Sequence, residues 1–261
     1  MGDAVVVIPA RWASSRFPGK VLATLGGEAL VLHACKLAHS ARSPERVMVA
    51  TDDPRVVRVV EEAGFEAVMT GAEHPSGTDR VAEVAGRLDA QWIVGLQADE
   101  PFLDPADIDA LIDALRSEPE TDLATLAAPI RERSEWLDPN VVKVVTDGED
   151  RALYFSRSPI PYRRPASGPF PDATQVELPE HCRVHLGIYA WQRQRLMDFA
   201  ALPPSPLEIS EGLEQLRALE AGWTLRVRPV VGQPFGIDTP EDLRRAEARC
   251  HRAPGGPQES R

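Results

Sequence analysis

Three cations, two hydroxyls and a glycine fall within ten residues near the start of the chain: Arg11, Ser14, Ser15, Arg16, Gly19 and Lys20. Arginine and lysine neutralise a polyphosphate, and a glycine lets backbone N–H groups approach one. The segment is neither G-x-x-x-x-G-K-[ST] nor G-x-G-x-x-G, so the two common phosphate fingerprints are absent. A solvated basic loop uses the same residue types. Two further polar clusters follow, His74-Pro75-Ser76-Gly77-Thr78-Asp79-Arg80 and Gln97-Ala98-Asp99-Glu100-Pro101. Asp99 comes just after an apolar run, where a carboxylate can hold magnesium beside substrate phosphates, although Asp-Glu-Pro also suits a turn. Asp238 has the same character: helix-start chemistry accounts for Thr239-Pro240 but does not require the Gly236-Ile237 that precede it. His185 lies in the run Val184 to Tyr189, where a satisfied half-buried histidine is the commoner case. Arg157, Arg163, Arg164 and Arg183 surround a proline-rich stretch. Their guanidinium forks suit a carboxylate substrate, and they equally suit solvent. No Ser-His-Asp or Cys-His pattern stands out.

These residues need elements that bring them together. Val5 to Ile8, Val47 to Ala50, Phe65 to Met69, Trp92 to Leu96 and Leu123 to Ala127 read as buried strands. Between them Leu30 to Ala38, the segment opened by Asp53-Pro54 and closed by Gly64, Val81 to Leu88 and the segment opened by Asp104-Pro105 read as helices. Such alternation predicts an α/β fold with a doubly wound, mostly parallel central sheet flanked by helices. The three polar clusters then fall at the carboxyl ends of strands, where that architecture binds ligands. In the second half, Val141 to Thr146 and Ala152 to Ser156 flank Asp147-Gly148 and predict a hairpin. Six prolines between 159 and 179 predict an extended loop or lid. Val184 to Trp191 and Leu225 to Val231 read as strands, Leu207 to Ala221 as one helix ended by Gly222, and Thr239-Pro240 as the opening of a last helix to about Arg249. The expectation is a single domain over 1–251 with a disordered tail over 252–261.

The 261 residues suffice for a sizeable core, and 43% hydrophobic with 26% charged residues is a globular composition. A net charge of −11 argues against a nucleic-acid partner. No apolar run is long enough to span a bilayer, and the start shows no signal-peptide pattern. Cys35, Cys182 and Cys250 are too few and too scattered for a disulfide framework or a zinc site. A cytoplasmic protein is expected.

The motifs together resemble the 3-deoxy-manno-octulosonate cytidylyltransferase (CMP-Kdo synthetase) family. The resemblance runs through residues 5–20, A-T-D-D at 50–53, H-P-S-G-T-D-R at 74–80, Q-A-D-E-P at 97–101, N-V-V-K-V-V at 140–145 and A-L-Y-F-S-R at 152–157. It continues through H-L-G-I-Y at 185–189, S-P-L-E at 205–208, L-E-Q-L-R at 213–217 and G-I-D-T-P-E-D-L at 236–243. It implies transfer of CMP from CTP to the anomeric hydroxyl of a keto-sugar acid, in service of lipopolysaccharide assembly, by a homodimer. It further implies that Arg11 and Lys20 hold the triphosphate, with Arg16 and Ala10 nearby, and that Ser76, Gly77, Arg80 and Gln97 shape the nucleotide pocket. Asp99 and Asp238 would hold Mg2+ and, with Arg11 and Lys20, form the catalytic set. Gln97, Arg157, His185, Tyr189, Glu208 and Gln215 would face the sugar acid. Two departures from the family pattern stand out. Ala98 stands where glycine is usual, which matters if that residue needs a positive φ, and 207–212 differs beside the implied sugar site. The rival readings are cytidylyl transfer to a related acid (an amino-Kdo, a sialic-type sugar or a phosphonate) and a non-catalytic nucleotide-binding regulator.

Overall fold

Four apolar residues in a row suit a strand only if both of its faces are covered, and β1 (Ala4–Pro9) is buried at every position. The computed structural model describes residues 3–13, 17–164, 177–230, 232 and 235–252. The chain divides into two compact units, Met1–Ile108 with Pro234–Arg261, and Asp109–Gln233.

The first unit contains β1, a short hairpin of β2 (Thr24–Leu25) and β3 (Glu28–Ala29), α1 (Leu30–Ser40), β4 (Arg46–Thr51) and α2 (Pro54–Glu62). It continues with β5 (Glu66–Met69), α3 (Gly77–Ala85), β6 (Trp92–Gly95) and the start of α4 (Pro105–Ser117). Strands β6, β1, β4 and β5 lie side by side in that order, all parallel. The order places β1 between the strand that follows it and the strand that comes last. The chain therefore winds outward from β1 in one direction, then returns to its other side. Crevices for ligands form at the carboxyl ends of strands that flank such a reversal, here β1 and β6. Helix α2 starts as its sequence predicts: Asp53 is the N-cap and accepts from the Arg55 N–H, with Pro54 at the first helical position. Gly64, just past its end, has φ 83°.

The second unit holds β7 (Leu123–Pro129), α5 (Arg133–Leu137), β8 (Lys143–Thr146), β9 (Ala152–Ser156), β10 (Arg183–Gln192), α6 (Arg193–Ala201), α7 (Pro206–Glu211), α8 (Gln215–Glu220) and β11 (Leu225–Pro229). Here β7 pairs β11 in parallel and β10 antiparallel, and β8 pairs antiparallel with both β10 and β9. Trp136, Phe155, Trp191 and Phe199 are among its fully buried side chains. The last helix, α9 (Pro240–Arg252), belongs to the first unit.

The mostly parallel sheet and flanking helices agree with the sequence expectation, and so does the hairpin; two local expectations, the single helix over Leu207 to Ala221 and the helix end at Leu88, do not hold. Leu207 to Ala221 is two helices, because Gly212 takes the left-handed conformation (φ 62°, ψ 42°) that ends α7. The β8–β9 hairpin forms, but its positive φ falls on Asp150 (58°) and not on Gly148. Asp147 holds the turn by accepting from the Glu149 and Arg151 N–H groups. The helix expected to reach Leu88 stops at Ala85. Of the expected lid, 159–164 and 177–179 are irregular, and 165–176 lie outside the described residues, as do residues 253–261 of the expected tail.

Candidate active site

The carboxyl end of β1 leads into Ala10 and Arg11, and that of β6 into Gln97, Ala98 and Asp99. A cavity of about 240 Å³ opens there, lined by Arg11, Lys20, Ser76, Gly77, Arg80, Gln97, Asp99 and Asp238 among others. All eight belong to the set singled out from the sequence. Ala10 is fully buried behind the wall, where it anchors β1 by donating to the Ala50 carbonyl at 2.8 Å. Arg16, with Ser14 and Ser15, lies outside the described residues.

Tertiary structure joins Asp99 and Asp238. The Ile237 N–H donates to the Asp99 carbonyl at 2.9 Å, and the Ile237 side chain is buried in a cluster with Leu25, Leu30 and Ala246. A Cβ on Gly236 would lie 3.1 Å from Glu100 Oε1. Gly236 thus permits close approach, Ile237 anchors the segment and Asp238 brings the charge. The Lys20 ammonium donates to Asp99 Oδ2 and, at 3.1 Å, to Asp238 Oδ1. Burial pulls the Lys20 pKa down, but the attraction and hydrogen bonds of the two carboxylates outweigh it, so it ends above the usual lysine value. Glu100, missed from the sequence, is pushed up to about 8 by burial and by the negative charges of Asp99 and Asp238. Its Oε2 is buried with no hydrogen-bond partner among the described residues, which suits a neutral acid.

Helix α3 brings its N-terminus to the cavity. Ser76 is its N-cap, accepting from the Asp79 N–H at 3.1 Å and donating to Asp79 Oδ2 at 2.7 Å. A Cβ on Gly77 would lie 3.3 Å from Pro9 and 3.4 Å from Gln97 Oε1, so only hydrogen fits comfortably there. The backbone N–H groups and dipole of this end favour negative charge. Arg80 is 2% exposed, and its guanidinium bonds Thr70 Oγ1, the Gly71 carbonyl at 3.0 Å and Asp52 Oδ2 at 3.2 Å. Asp52 was missed, although its place directly after β4 is the same signal that marks Asp99. It also accepts from the Trp12 N–H at 3.0 Å and so ties the first loop to the sheet. Arg55 stacks 3.5 Å over the Trp12 ring. Arg11 is exposed and has no ion-pair partner among the described residues. Ala98 is buried and its φ is not positive, so the methyl in place of the family glycine causes no backbone strain.

In the second unit, His185 lies among Phe155 (4.9 Å between ring centroids), Tyr189 (5.5 Å), Thr125 and Gln215. Burial pushes the His185 pKa down to about 3, so the ring is neutral. His185 is half-buried, and Tyr189 and Gln215 beside it are buried. Arg157 spends its guanidinium on backbone carbonyls, those of Glu211 at 2.7 Å, Pro139 at 3.0 Å and Gly212 at 3.3 Å. Glu208 serves the capping box of α7 with Ser205 and forms a two-pronged ion pair with Arg217. Arg157 and Glu208 therefore already have structural work, whereas the Gln215 amide nitrogen lies 3.5 Å from His185 Nδ1.

A family model described as Cytidylyltransferase matches residues 5–227. The 3-deoxy-manno-octulosonate cytidylyltransferase of Geobacter sulfurreducens is 46% identical over 241 residues, covering 92% of this chain and 96% of that one. The chain belongs to the 3-deoxy-manno-octulosonate cytidylyltransferase family. A protein of the same name from Methylococcus capsulatus is 48% identical over 249 residues, 94% of this chain and 95% of that one. A solved structure of CMP:2-keto-3-deoxy-manno-octonic acid synthetase complexed with CTP matches with a TM-score of 0.85 and 40% identity, over 95% of this chain and 98% of that chain. Among the described residues, no helix is long and apolar enough to cross a membrane.

Proposed function

We propose that the cavity around Lys20, Asp99 and Asp238 binds CTP and that the residues singled out above carry the reaction. The enzyme is a CTP-dependent nucleotidyltransferase that makes the CMP ester of 3-deoxy-manno-octulosonate, in line with its close relatives. The anomeric hydroxyl of the sugar acid attacks the α-phosphorus of CTP, the bond from that phosphorus to the bridging oxygen breaks, and pyrophosphate leaves.

The observation that carries the reading is the meeting of one ammonium with two carboxylates on the wall of a cavity that a helix N-terminus also lines. Arg11 and Lys20 supply positive charge to the triphosphate, and the N–H groups at the start of α3 add to it. Ser76 and Gly77 leave room for a pyrimidine edge beside Gln97. Hard oxygen donors in the number of two suit Mg2+, which takes few protein carboxylates and completes its shell with water and phosphate. Asp99 and Asp238 would hold it. Once bound, the ion neutralises phosphate charge and makes the phosphorus easier to attack. His185, Tyr189 and Gln215 face the sugar acid, with Arg157 and Glu208 supporting the backbone around them. The working form is a homodimer, for which exposed Leu153, Leu207 and Ile209 offer apolar surface. A CTP-consuming enzyme with the buried free thiols Cys35 and Cys182 belongs in the cytoplasm.

The test is pyrophosphate release with CTP, UTP, ATP and GTP, each with and without 3-deoxy-manno-octulosonate. Release with CTP that depends on the sugar acid and on Mg2+ is expected. Equal turnover with ATP, or release without the sugar acid, would overturn the reading.

A further inference from the structure

Strand β10 carries an irregularity against β7 between Leu186 and Tyr189. A bulge leaves carbonyls without ladder partners. The side chain that meets them is Thr125 of β7, fully buried, with Oγ1 at 3.1 Å from the Leu186 carbonyl and 2.8 Å from the Ile188 carbonyl. The same oxygen lies 2.9 Å from His185 Nε2. A hydroxyl has one proton and two acceptor lone pairs. The carbonyls only accept, so they compete for that one proton. An unprotonated Nε2 would add a third acceptor around it, whereas a protonated Nε2 donates to a free lone pair of Oγ1. The count of donors and acceptors therefore puts a proton on Nε2.

We propose that Thr125 is a positioning residue that holds His185 as the neutral Nε2–H tautomer and leaves Nδ1 as a hydrogen-bond acceptor. The surroundings agree. The Gln215 amide nitrogen, a donor, lies 3.5 Å from Nδ1. Phe155 meets the ring edge to face, and Tyr189 flanks it, so the imidazole plane is held from its sides as well as through Nε2. A ring in this state cannot act as a cation towards a carboxylate. Its one Nδ1 lone pair takes a single donor, the Gln215 amide or, in its place, a donor on the sugar acid, which means a hydroxyl. This last step rests on the reading that His185 faces the sugar acid; the tautomer does not.

The experiment is long-range 1H–15N NMR on the ligand-free wild-type protein at neutral pH, with His185 assigned by its loss in His185→Gln. A protonated, pyrrole-type Nε2 and an unprotonated, pyridine-type Nδ1 are expected. A protonated Nδ1, or an imidazolium, would overturn the proposal, and this measurement needs no Thr125 variant to fold. Thr125→Val keeps the branched shape and removes the hydroxyl, so the His185 resonances should move towards a mixture of tautomers. Thr125→Ser should restore them. Unchanged resonances in Thr125→Val would also overturn it. In kinetics, Thr125→Val should raise KM for the sugar acid about tenfold, as the loss of one well-placed hydrogen bond does, with KM for CTP unchanged and Thr125→Ser close to wild type. The expected tautomer with an unchanged KM for the sugar acid would support the role of Thr125 and instead overturn the placement of His185 beside that substrate.

Discussion

The Lys20 ammonium bonds the carboxylate of Asp238 at 3.1 Å although 218 positions separate them in the chain. With Asp99 on its other side, Lys20 keeps two acids together that would otherwise repel. Lys20→Met keeps much of the stem and removes the charge. We expect kcat/KM to fall by roughly 10²–10³, the usual loss of one electrostatic contact at a reacting phosphate. The variant should also melt below wild type without Mg2+ and recover part of the difference when Mg2+ is added. Thermal shift with and without the ion, beside pyrophosphate release, checks both.

Asp99 and Asp238 should act as a unit. Asp99→Asn and Asp238→Asn each remove one charge with little change of shape, and each should lower the rate and the response to Mg2+. The double variant should lose far less than the product of the two single losses, because residues that serve one site are not additive. A double-mutant cycle of pyrophosphate release against Mg2+ concentration measures this. Fully additive losses would mean that the two do not share an ion.

Gly19 has φ 71°, and a Cβ there would lie 3.0 Å from the Trp12 ring. Gly19→Ala therefore meets the left-handed penalty of about 1–2 kcal/mol together with a close contact. Lys20 is the next residue, so the strain falls on its placement. KM for CTP should rise roughly 5- to 30-fold, the factor that such an energy corresponds to, with KM for the sugar acid little changed. Steady-state kinetics with each substrate varied in turn decides it.

Glu208 and Arg217 form a mostly buried ion pair, with side chains 13% and 11% exposed, and Glu208 also closes the capping box of α7. Either Glu208→Ala or Arg217→Ala should cost roughly 2–3 kcal/mol, above an exposed pair and short of a fully buried one. The double variant should cost less than the sum of the two. Urea denaturation midpoints for the four proteins supply the cycle.

His185 sets a pH dependence. Its folded pKa of about 3 lies below the ordinary value of 6.5, so the unfolded chain binds a proton that the folded chain refuses. The stabilisation is complete above about pH 6.5 and is lost as pH falls towards 3, with a slope of at most ~1.4 kcal/mol per pH unit from this one group. His185→Gln should flatten the dependence between pH 6 and 4. Chemical denaturation across that range, wild type against variant, measures the difference in slope.

Periodicity and punctuation were enough to read most of the fold. Apolar runs such as Val5 to Ile8 are short-range facts, and so is Asp53-Pro54 as a helix start, since a cap needs only its own next turn. The break at Gly212 was not legible, because a glycine inside a helical pattern ends the helix only when the following chain has somewhere to pack. Nor was the short helix α6, between a strand and a proline-rich loop.

Residue types that can do the chemistry, and the strand ends at which most of them fall, could be read without any coordinates. Arg11, Lys20, Asp99 and Asp238 drew notice as charged residues following apolar segments, although loops and turns use the same types, whereas the pocket roles of Gly77 and Gln97 came from the resemblance of their motifs. Their convergence comes only with folding: the hydrogen bond from Ile237 to the Asp99 carbonyl, and the burial of Ile237 beside Leu25 and Leu30, are contacts between distant segments. The same holds for Asp52 and Thr125. One side chain among many looks alike in sequence, and what gives it a role is the partner that folding brings within 3 Å. A proton is shared only at hydrogen-bond distance, and a charge is balanced most strongly there.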